Sequence, residues 1–237
     1  MPTPTLITTR PAQAIAMAAV MLMGAPAAQA DMTLAIPFLV ATSAQTFSQD
    51  ALDAYEVYGI VATPKGNAMQ LDAATVVQPI THITFGRSKY VGLGDAITKG
   101  DAVGGALEIS RMDPRGSGKI GLTLANFTID YQAKRVLADT TPIGGVTLKQ
   151  VPVYEHTVTR PMMFDNIKGA YVGREVLSNL RMTDEMKTLM VTNLKLPKVA
   201  RSALNSIDFG TLTATIVVAF RTSAEQAKIS VKPYQPN

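Results

Sequence analysis

The sequence predicts a mainly β fold, and three observations lead to this expectation. Residues rich in β-branched and aromatic types alternate at period two between positions 76 and 159. Clusters of Gly, Pro, Asp and Asn separate these runs, most clearly at 113–118. A change of phase inside the run 119–131 is typical of a curved sheet or of one covered on both faces. We therefore expect a two-layer β-sandwich with an N-terminal helix and an αα-hairpin inserted near residues 183–206.

The strands are bounded by turn-forming residues. Hairpin turns are predicted at 113–118 and at 132–134, and a further turn at Thr63–Asn67 follows a possible strand over 57–61. The candidate strands are, in chain order, 80–85, 106–112, 119–131, 135–140 and 146–158, with a further strand at 212–220 after the helices. The segment after Glu225 is expected to be an edge strand or an ordered tail.

The phase change within 119–131 is specific enough to locate an irregularity. Leu122 and Leu124 share one face of the strand, whereas Phe127 and Ile129 have the opposite parity. Because side chains alternate strictly along a strand, both pairs reach one core only if an extra residue intervenes. The sequence therefore indicates either a β-bulge near Ala125–Asn126 or a sheet whose two faces are both covered.

The helices are predicted from capping residues and from apolar spacing. Ser48 precedes acidic residues and can cap the N-terminal helix. Thr183 can cap a helix over 184–193, and Pro197 suits the first turn of a second helix. These last two helices would form an αα-hairpin or a lid over the sheet.

The first thirty residues have the pattern of a cleavable export signal. Arg10 supplies a positive n-region, residues 14–23 form a short apolar stretch, and Ala28–Gln29–Ala30 has the small residues of a cleavage site. We expect cleavage after Ala30 and a single β-rich domain over residues 31–237. Its expected location is the periplasm or the outside of the cell.

Composition excludes several classes of function. The chain has no cysteine, so disulfides and thiolate chemistry are excluded. Lys and Arg number 22 and Asp and Glu 18; because only Arg10 falls in the signal, residues 31–237 carry a net charge of +3. The basic residues are scattered without interleaved aromatics, which argues against a nucleic-acid partner. No run after the signal reaches the ~20 apolar residues of a transmembrane helix.

Known catalytic motifs are also not matched. The run Arg115–Lys119 resembles part of a phosphate-binding loop, but Asp113 stands where the first Gly is needed and Ile120 where Ser or Thr is needed. Only two histidines, His82 and His156, are available for a catalytic triad or a metal site. We expect no metal and no cofactor, and an enzyme is the least favoured class.

Two groups of residues are candidate ligand contacts. Tyr154 and His156 lie two apart on a predicted strand and would share a face, which suits a metal or haem ligand pair as well as an ordinary structural role. Met186 and Met190 share a helical stripe, and Met162 and Met163 precede it in the chain. Such methionines pack a core, line an apolar pocket under the helical lid, or bind Cu(I).

One stretch carries a family resemblance. Residues 122–130, a short turn, residues 136–139 and the pair Gly144–Gly145 resemble a strand pair of uncharacterised secreted bacterial proteins, and are similar to the haem-transport-associated HtaA-type domain. The likeness covers residues 103–150. It implies a β-sandwich and, in that family, haem binding through Tyr and His; Tyr154 and His156 are not assigned to those family positions.

Two function hypotheses follow. The first is a secreted or periplasmic, non-enzymatic structural, adhesive or interaction module that recognises its partner through loops or a sheet edge. The second is a binding protein for an apolar small molecule, such as a lipid or haem, in a methionine-rich pocket under the helical hairpin.

Overall fold

The computed structural model describes residues 32–35, 40–86, 97–116, 118–167, 170–217, 219 and 227–236. These residues belong to one compact unit, Asp31–Asn237. The predicted export signal lies outside the described residues.

Twelve strands and three helices are formed in this part of the chain. The strands are β1 Met32–Ala35, β2 Val40–Thr46, β3 Val61–Gly66, β4 Met69–Gln70, β5 Thr75–Pro79, β6 His82–Phe85, β7 Ile97–Met112, β8 Lys119–Asp130, β9 Arg135–Pro142, β10 Leu148–Ile167, β11 Ala170–Met182 and β12 Thr211–Val217. The helices are α1 Gln49–Val57, α2 Asp184–Asn193 and α3 Lys198–Ser206. The prediction of a mainly β protein is confirmed.

The strands form one antiparallel sheet instead of two separate layers. Its order is β1-β6-β7-β8-β9-β10-β11-β12-β2-β5-β4, and β3 pairs with β7 beside this path. The sheet curls until it is nearly barrel-shaped. The expected two-layer sandwich is therefore not confirmed.

A bend between β5 and β6 brings the two ends of the sheet together. β5 pairs with β2, whereas β6 pairs with β7 near the other end of the sheet, and only Ile80 and Thr81 lie between them. Thr81 is buried, and its backbone N–H and its hydroxyl both donate to the Asp101 carbonyl, at 2.7 and 3.0 Å. The hydroxyl also accepts from the Val103 N–H at 3.0 Å. One threonine thus satisfies the backbone at the point of closure.

The predicted bulge is present. The pairing of β8 with β9 shifts between Ala125 and Thr128, and Asn126 has a φ of 51°. The facing strand β7 shifts between Ala102 and Ala106, where Gly104 has a φ of 81°. The two irregularities lie opposite each other, so both strands bend at the same level of the sheet.

The helices begin where their capping residues predict. The Ser48 hydroxyl accepts from the Ala51 N–H at 3.1 Å, and the Thr183 hydroxyl accepts from the Met186 N–H at 3.2 Å. Pro197 directly precedes α3, so the αα-hairpin is confirmed. The expected N-terminal helix is not confirmed as such. Helix α1 forms at the predicted position, but β1 and β2 precede it in the chain.

Three local predictions are wrong. The possible strand over 57–61 is the end of α1 followed by a turn, and only Val61 belongs to a strand. Most of the turn expected at Thr63–Asn67 is strand β3, in which Pro64 pairs opposite Leu107 of β7. A proline is compatible with such a strand because β3 pairs with β7 only, among the described residues, and one of its edges makes no ladder. Strand β10 also continues past Val158 to Ile167 and forms a long hairpin with β11 that the sequence pattern did not reveal.

The described residues form two hydrophobic clusters in the interior. The main cluster holds the helices against the sheet and includes the fully buried Phe209, Met186, Met190 and Leu194. The second cluster is small, and its buried members are Ala41, Ile80, Ile83, Met162, Ala214 and Ile216.

Candidate ligand-binding site

The structure separates the four candidate methionines. Met186 and Met190 are fully buried in the main cluster, whereas Met162 belongs to the second cluster. Met163 is 58% exposed. None of these methionines lines any of the three cavities described in this section. Met186 and Met190 thus pack in the core, and the methionine-rich pocket stays a prediction.

Tyr154 and His156 are both buried, as two residues on one strand face should be. Their neighbours differ, however. The Tyr154 ring lies 5.5 Å from the Phe209 ring, and its hydroxyl accepts from the Gln45 amide at 3.4 Å. The His156 imidazole lies edge-on to the Tyr131 ring at 6.4 Å. Neither residue lines any of the three cavities, and their role as ligand contacts stays a prediction.

Buried and half-buried polar side chains lie beside one another on neighbouring strands of the sheet. Strand pairing places Gln78 beside Ser43, Ser43 beside Ala214, and Ala214 beside Glu175 on four neighbouring strands. The Glu175 carboxyl hydrogen-bonds the Tyr131 hydroxyl. We call the five residues Ser43, Gln78, Tyr131, His156 and Glu175 the interior polar layer.

Several atoms of this layer lack hydrogen-bond partners among the described residues. They are both ring nitrogens of His156, Glu175 Oε2 and Gln78 Oε1. Burial raises the pKa of Glu175, although the Tyr131 hydroxyl opposes the shift. Burial lowers the pKa of His156, and the nearby Lys134 charge adds to this, whereas the backbone and the charge of Asp130 oppose the shift. Both shifts favour uncharged side chains, because burial is the largest cause in each case.

The polar layer borders a cavity the size of a water molecule. This cavity has a volume of about 20 Å³, and Ser43, Gln45 and Gln78 contribute its polar lining. A volume of roughly 10–15 Å³ is enough for one water, provided that polar partners are present. Water is therefore the occupant that suits this space, because a drug-sized ligand needs roughly 300 Å³ or more.

A much larger groove lies beside α1. It has a volume of about 360 Å³ and is walled mainly by apolar side chains, among them Phe47, Leu52, Tyr55, Ile60 and Val76. Helix α1 supplies Leu52 and Tyr55 because residues three apart lie on one face of a helix. We call this space the helix groove; its volume is within the usual range for small-molecule pockets.

The polar groups at the helix groove are few. Glu56 and Gln70 line it, and Glu56 is exposed. The Tyr55 hydroxyl is buried without a hydrogen-bond partner, and burial together with the nearby Tyr154 raises the pKa of Tyr55 well above its ordinary value. The Tyr55 ring packs between Phe47 and Phe209, at 6.0 and 6.4 Å. The groove is thus apolar, with one acidic residue at its wall.

Exposed apolar side chains continue from the groove. Val61, which lines it, is 59% exposed, and Met69 and Leu71, which flank the lining residue Gln70, are 64% and 70% exposed. Sequence reasoning missed this site because its walls come from α1, β3 and β5, whose residues show no joint period. The apolar residues that follow Gly59 could have indicated this site, because three of them line the groove.

A third cavity has a volume of about 250 Å³ and lies beside the last described residues. Asp139, Thr141, Thr147 and Lys149 line it together with residues 234–236. Burial alone would raise the pKa of Asp139, but hydrogen bonds from Lys149, Asn126 and Gln150 hold that pKa below its ordinary value. Asp139 is therefore a charged structural anchor.

The described residues contain no cluster of three or more His, Asp or Glu side chains that could hold a metal ion. Among the same residues, no helix is both long and apolar enough to cross a bilayer.

Comparison with known proteins gives a single likeness to report. No protein-family model matches the chain, and no curated protein matches its sequence. The crystal structure of the C-terminal domain of HtaA from Corynebacterium glutamicum is similar over 76% of this chain and 98% of that domain, with 10% identity and a TM-score of 0.45. HtaA gives its name to the type of domain that residues 103–150 resemble in sequence.

Proposed function

We propose that this chain is an exported, non-enzymatic binding module that takes an apolar small molecule in the helix groove. The observation that carries the proposal is the groove itself, about 360 Å³ of largely apolar space beside α1. Pockets of this size and lining bury most of a small ligand's surface. We keep the sequence-based hypothesis of an apolar ligand, but we place its binding site beside α1 and not beside the methionines.

The charge at the groove narrows the class of ligand. Glu56 lines the wall, and Asp53 lies one helical turn before it. A ligand carboxylate near these residues would meet like charge, which is unfavourable in a partly desolvated site. We therefore propose a neutral or cationic apolar ligand in preference to a fatty acid.

Haem does not fit the helix groove as it is built. The Tyr55 ring is packed between Phe47 and Phe209, and its hydroxyl lies close enough to Tyr154 for the two to interact electrostatically. The two carboxylates of haem would also be opposed by Glu56. Tyr154 and His156 line none of the three cavities described above, so they do not supply haem ligands there.

The test compares a neutral and an anionic fluorescent probe. N-phenyl-1-naphthylamine is neutral and 1-anilinonaphthalene-8-sulfonate is anionic, and both brighten in apolar surroundings. Residues 31–237 should bind the neutral probe at least tenfold more tightly. The variant Ala62→Trp fills the groove and should weaken neutral-probe binding at least tenfold, whereas Ala133→Trp, in the exposed turn after β8, should not.

Two results would contradict the proposal. One is equal binding of the neutral probe by the wild type and by a folded Ala62→Trp variant. The other is a preference for the anionic probe. Native mass spectrometry of the protein from its own exported fraction supplies the natural ligand, and N-terminal sequencing of that sample tests whether the chain begins at Asp31.

A structural or adhesive role is the second candidate, and exposed apolar residues on the β10–β11 hairpin favour it. Met163 and Tyr171 are 58% and 57% exposed, and Ile167 is 45% exposed. Exposed apolar side chains near one another on a hairpin are typical of interaction surfaces. A sample from the exported fraction that carries no small molecule and ignores the neutral probe would favour this candidate over the helix groove.

A further inference from the structure

Two hairpin turns and the connection between α2 and α3 meet at one end of the sheet. The β9–β10 turn reaches the start of β8, because the Ile143 N–H donates to the Gly121 carbonyl at 2.9 Å. The connection between the helices reaches the β7–β8 turn, because the Lys195 side chain forms an ion pair with Asp113. Three segments that are distant in the sequence therefore present one surface.

This surface concentrates positive charge. Residues 108–119, 142–148 and 195–201 contain six Lys and Arg residues but only two Asp and Glu residues, so their net charge is +4. The rest of residues 31–237, whose total net charge is +3, therefore carries −1. The six basic side chains are exposed or half-buried, and they are Arg111, Arg115, Lys119, Lys195, Lys198 and Arg201. We call the surface formed by these three segments the basic end.

Both acidic residues of the basic end already have a basic partner. Glu108 forms an ion pair with Lys119 at 2.8 Å, and the fully buried Asp113 carboxylate is paired with Lys195. The two acidic residues in the first turn of α2 lie at the far end of that helix, whose ten residues span about 15 Å. The exposed charge of the basic end is thus positive.

Exposed apolar side chains lie among these charges. Met112 and Ile143 are 68% and 43% exposed, and Val146, in the β9–β10 turn, is 83% exposed. Val199 directly follows Lys198 in the first turn of α3 and is 68% exposed. Transfer of such side chains from water to an apolar phase is favourable, and long basic side chains can keep their charged groups in the polar region beside it.

We propose that the basic end docks on a bilayer that contains anionic phospholipids. Such a bilayer offers negatively charged headgroups to the basic side chains and an apolar interior beneath them to the exposed apolar side chains. A nucleic acid or another polyanion would match the charge but would leave the apolar side chains in water. The bilayer is the partner that complements both features of this surface.

Insertion into the bilayer can be measured with a single reporter, because the chain contains no tryptophan. Val146→Trp places an indole at the most exposed apolar position of the basic end. With vesicles of phosphatidylcholine that contain about 30% phosphatidylglycerol, its emission should move to shorter wavelength by about 10 nm, since indole partitions into the membrane interface. The matched control Ala133→Trp, in the turn at the other end of β8, should keep its emission.

Charge recognition is tested by reversing two charges at the basic end or two elsewhere. Arg115→Glu combined with Lys198→Glu changes the basic end, whereas Lys134→Glu combined with Lys228→Glu changes two exposed lysines outside it. Both variants have the same net charge. The first should lower the affinity for anionic vesicles at least tenfold in a sedimentation assay, and the second less than threefold. Added salt should also weaken wild-type binding, because ions screen exposed charges.

Four results would overturn the proposal. Wild-type protein that binds neither type of vesicle, or binds phosphatidylcholine alone as well as the anionic mixture, would contradict it without any substitution. An equal loss of affinity in the two charge variants would indicate general attraction and not a defined surface. Binding without a change in the Val146→Trp emission would mean that only charge is recognised. All substituted side chains are exposed, and circular dichroism checks that each variant is folded.

Discussion

The two hydrophobic clusters differ in size and in the elements that they hold together. The main cluster packs α2 and α3 on the sheet and contains both Tyr154, whose hydroxyl has a hydrogen-bond partner, and Tyr55, whose buried hydroxyl has none. The second cluster is small, and its member Ala214 lies beside Ser43 and Glu175 of the interior polar layer, where His156, Glu175 and Gln78 have unpaired atoms. We infer that the main cluster supplies most of the stability, whereas the polar layer makes stability depend on pH.

The largest expected effect compares the same substitution in the two clusters. Met190→Ala should lower the free energy of unfolding by about 3 kcal/mol or more, because the fully buried side chain leaves a cavity in a closely packed region. Met162→Ala should cost less than about 2 kcal/mol, since the small second cluster can collapse more easily. Urea denaturation measures both values.

Met163→Ala is the control for this pair. Its side chain is 58% exposed, so the loss should be about 0.5 kcal/mol or less. Equal losses for Met190→Ala and Met162→Ala would show that the two clusters form one cooperative core, and the comparison above would not hold.

The second-largest expected effect is a loss of stability that Glu175 causes as the pH rises above the ordinary Glu pKa. Because burial raises its pKa in the folded state, the unfolded chain releases this proton first as the pH rises above the ordinary Glu value. The stabilising contribution is thus fully present below that value and is lost as the pH rises through the raised pKa. Glu175→Gln should remove this loss, so the variant should gain stability over the wild type as the pH rises from the ordinary Glu value through the raised pKa.

Thermal unfolding of both proteins across this range measures the difference. Glu155→Gln, an exposed residue on the neighbouring strand β10, is the matched control and should follow the wild type. A Glu175→Gln variant whose stability runs parallel to that of the wild type from acid to alkaline pH would be evidence against a buried neutral carboxyl.

His156 is expected to have a smaller effect on stability, with the opposite dependence on pH. Burial lowers its pKa in the folded state, so the unfolded chain takes up a proton first as the pH falls below about 6.5. Wild-type stability should therefore decline on the acid side of this value, and His156→Gln should reduce the decline. At neutral pH the imidazole is largely uncharged in both states, which makes this effect smaller there than that of Glu175.

The same thermal unfolding series tests this prediction, with His82→Gln as the control at the other histidine. If His82→Gln removed as much of the acid-side decline in stability as His156→Gln, the interior polar layer would not be its cause.

Local features were predictable from the sequence. The bulge at Asn126 followed from the parity of Leu124 and Phe127, because strict alternation exposes a single inserted residue. The starts of α1 and α2 followed from Ser48 and Thr183, since a cap acts within one turn. The weak HtaA-type resemblance was also visible in residues 103–150. In each case the relevant residues are neighbours in the chain.

The turn predicted at Thr63–Asn67 shows where such reasoning fails. Pro64 and Gly66 favour a turn when taken alone, but β7 offers a strand edge to which Val61–Gly66 pairs. The methionines show the same limit, because helical spacing placed Met186 and Met190 on one face without revealing that this face is fully buried. Packing partners distant in sequence overrode both local signals.

By itself, the sequence determined the β class, the bulge, the helix caps, the absence of cysteine chemistry and the expectation of export. Only the tertiary structure decided how the sheet closes at Thr81, how Glu175 meets Tyr131, where the helix groove lies and how Lys195 meets Asp113. The physical reason is separation along the chain: Asp113 and Lys195 are 82 positions apart, and no periodic pattern connects residues at that distance. Local forces select the elements, whereas burial and backbone pairing between distant segments decide which side chains meet.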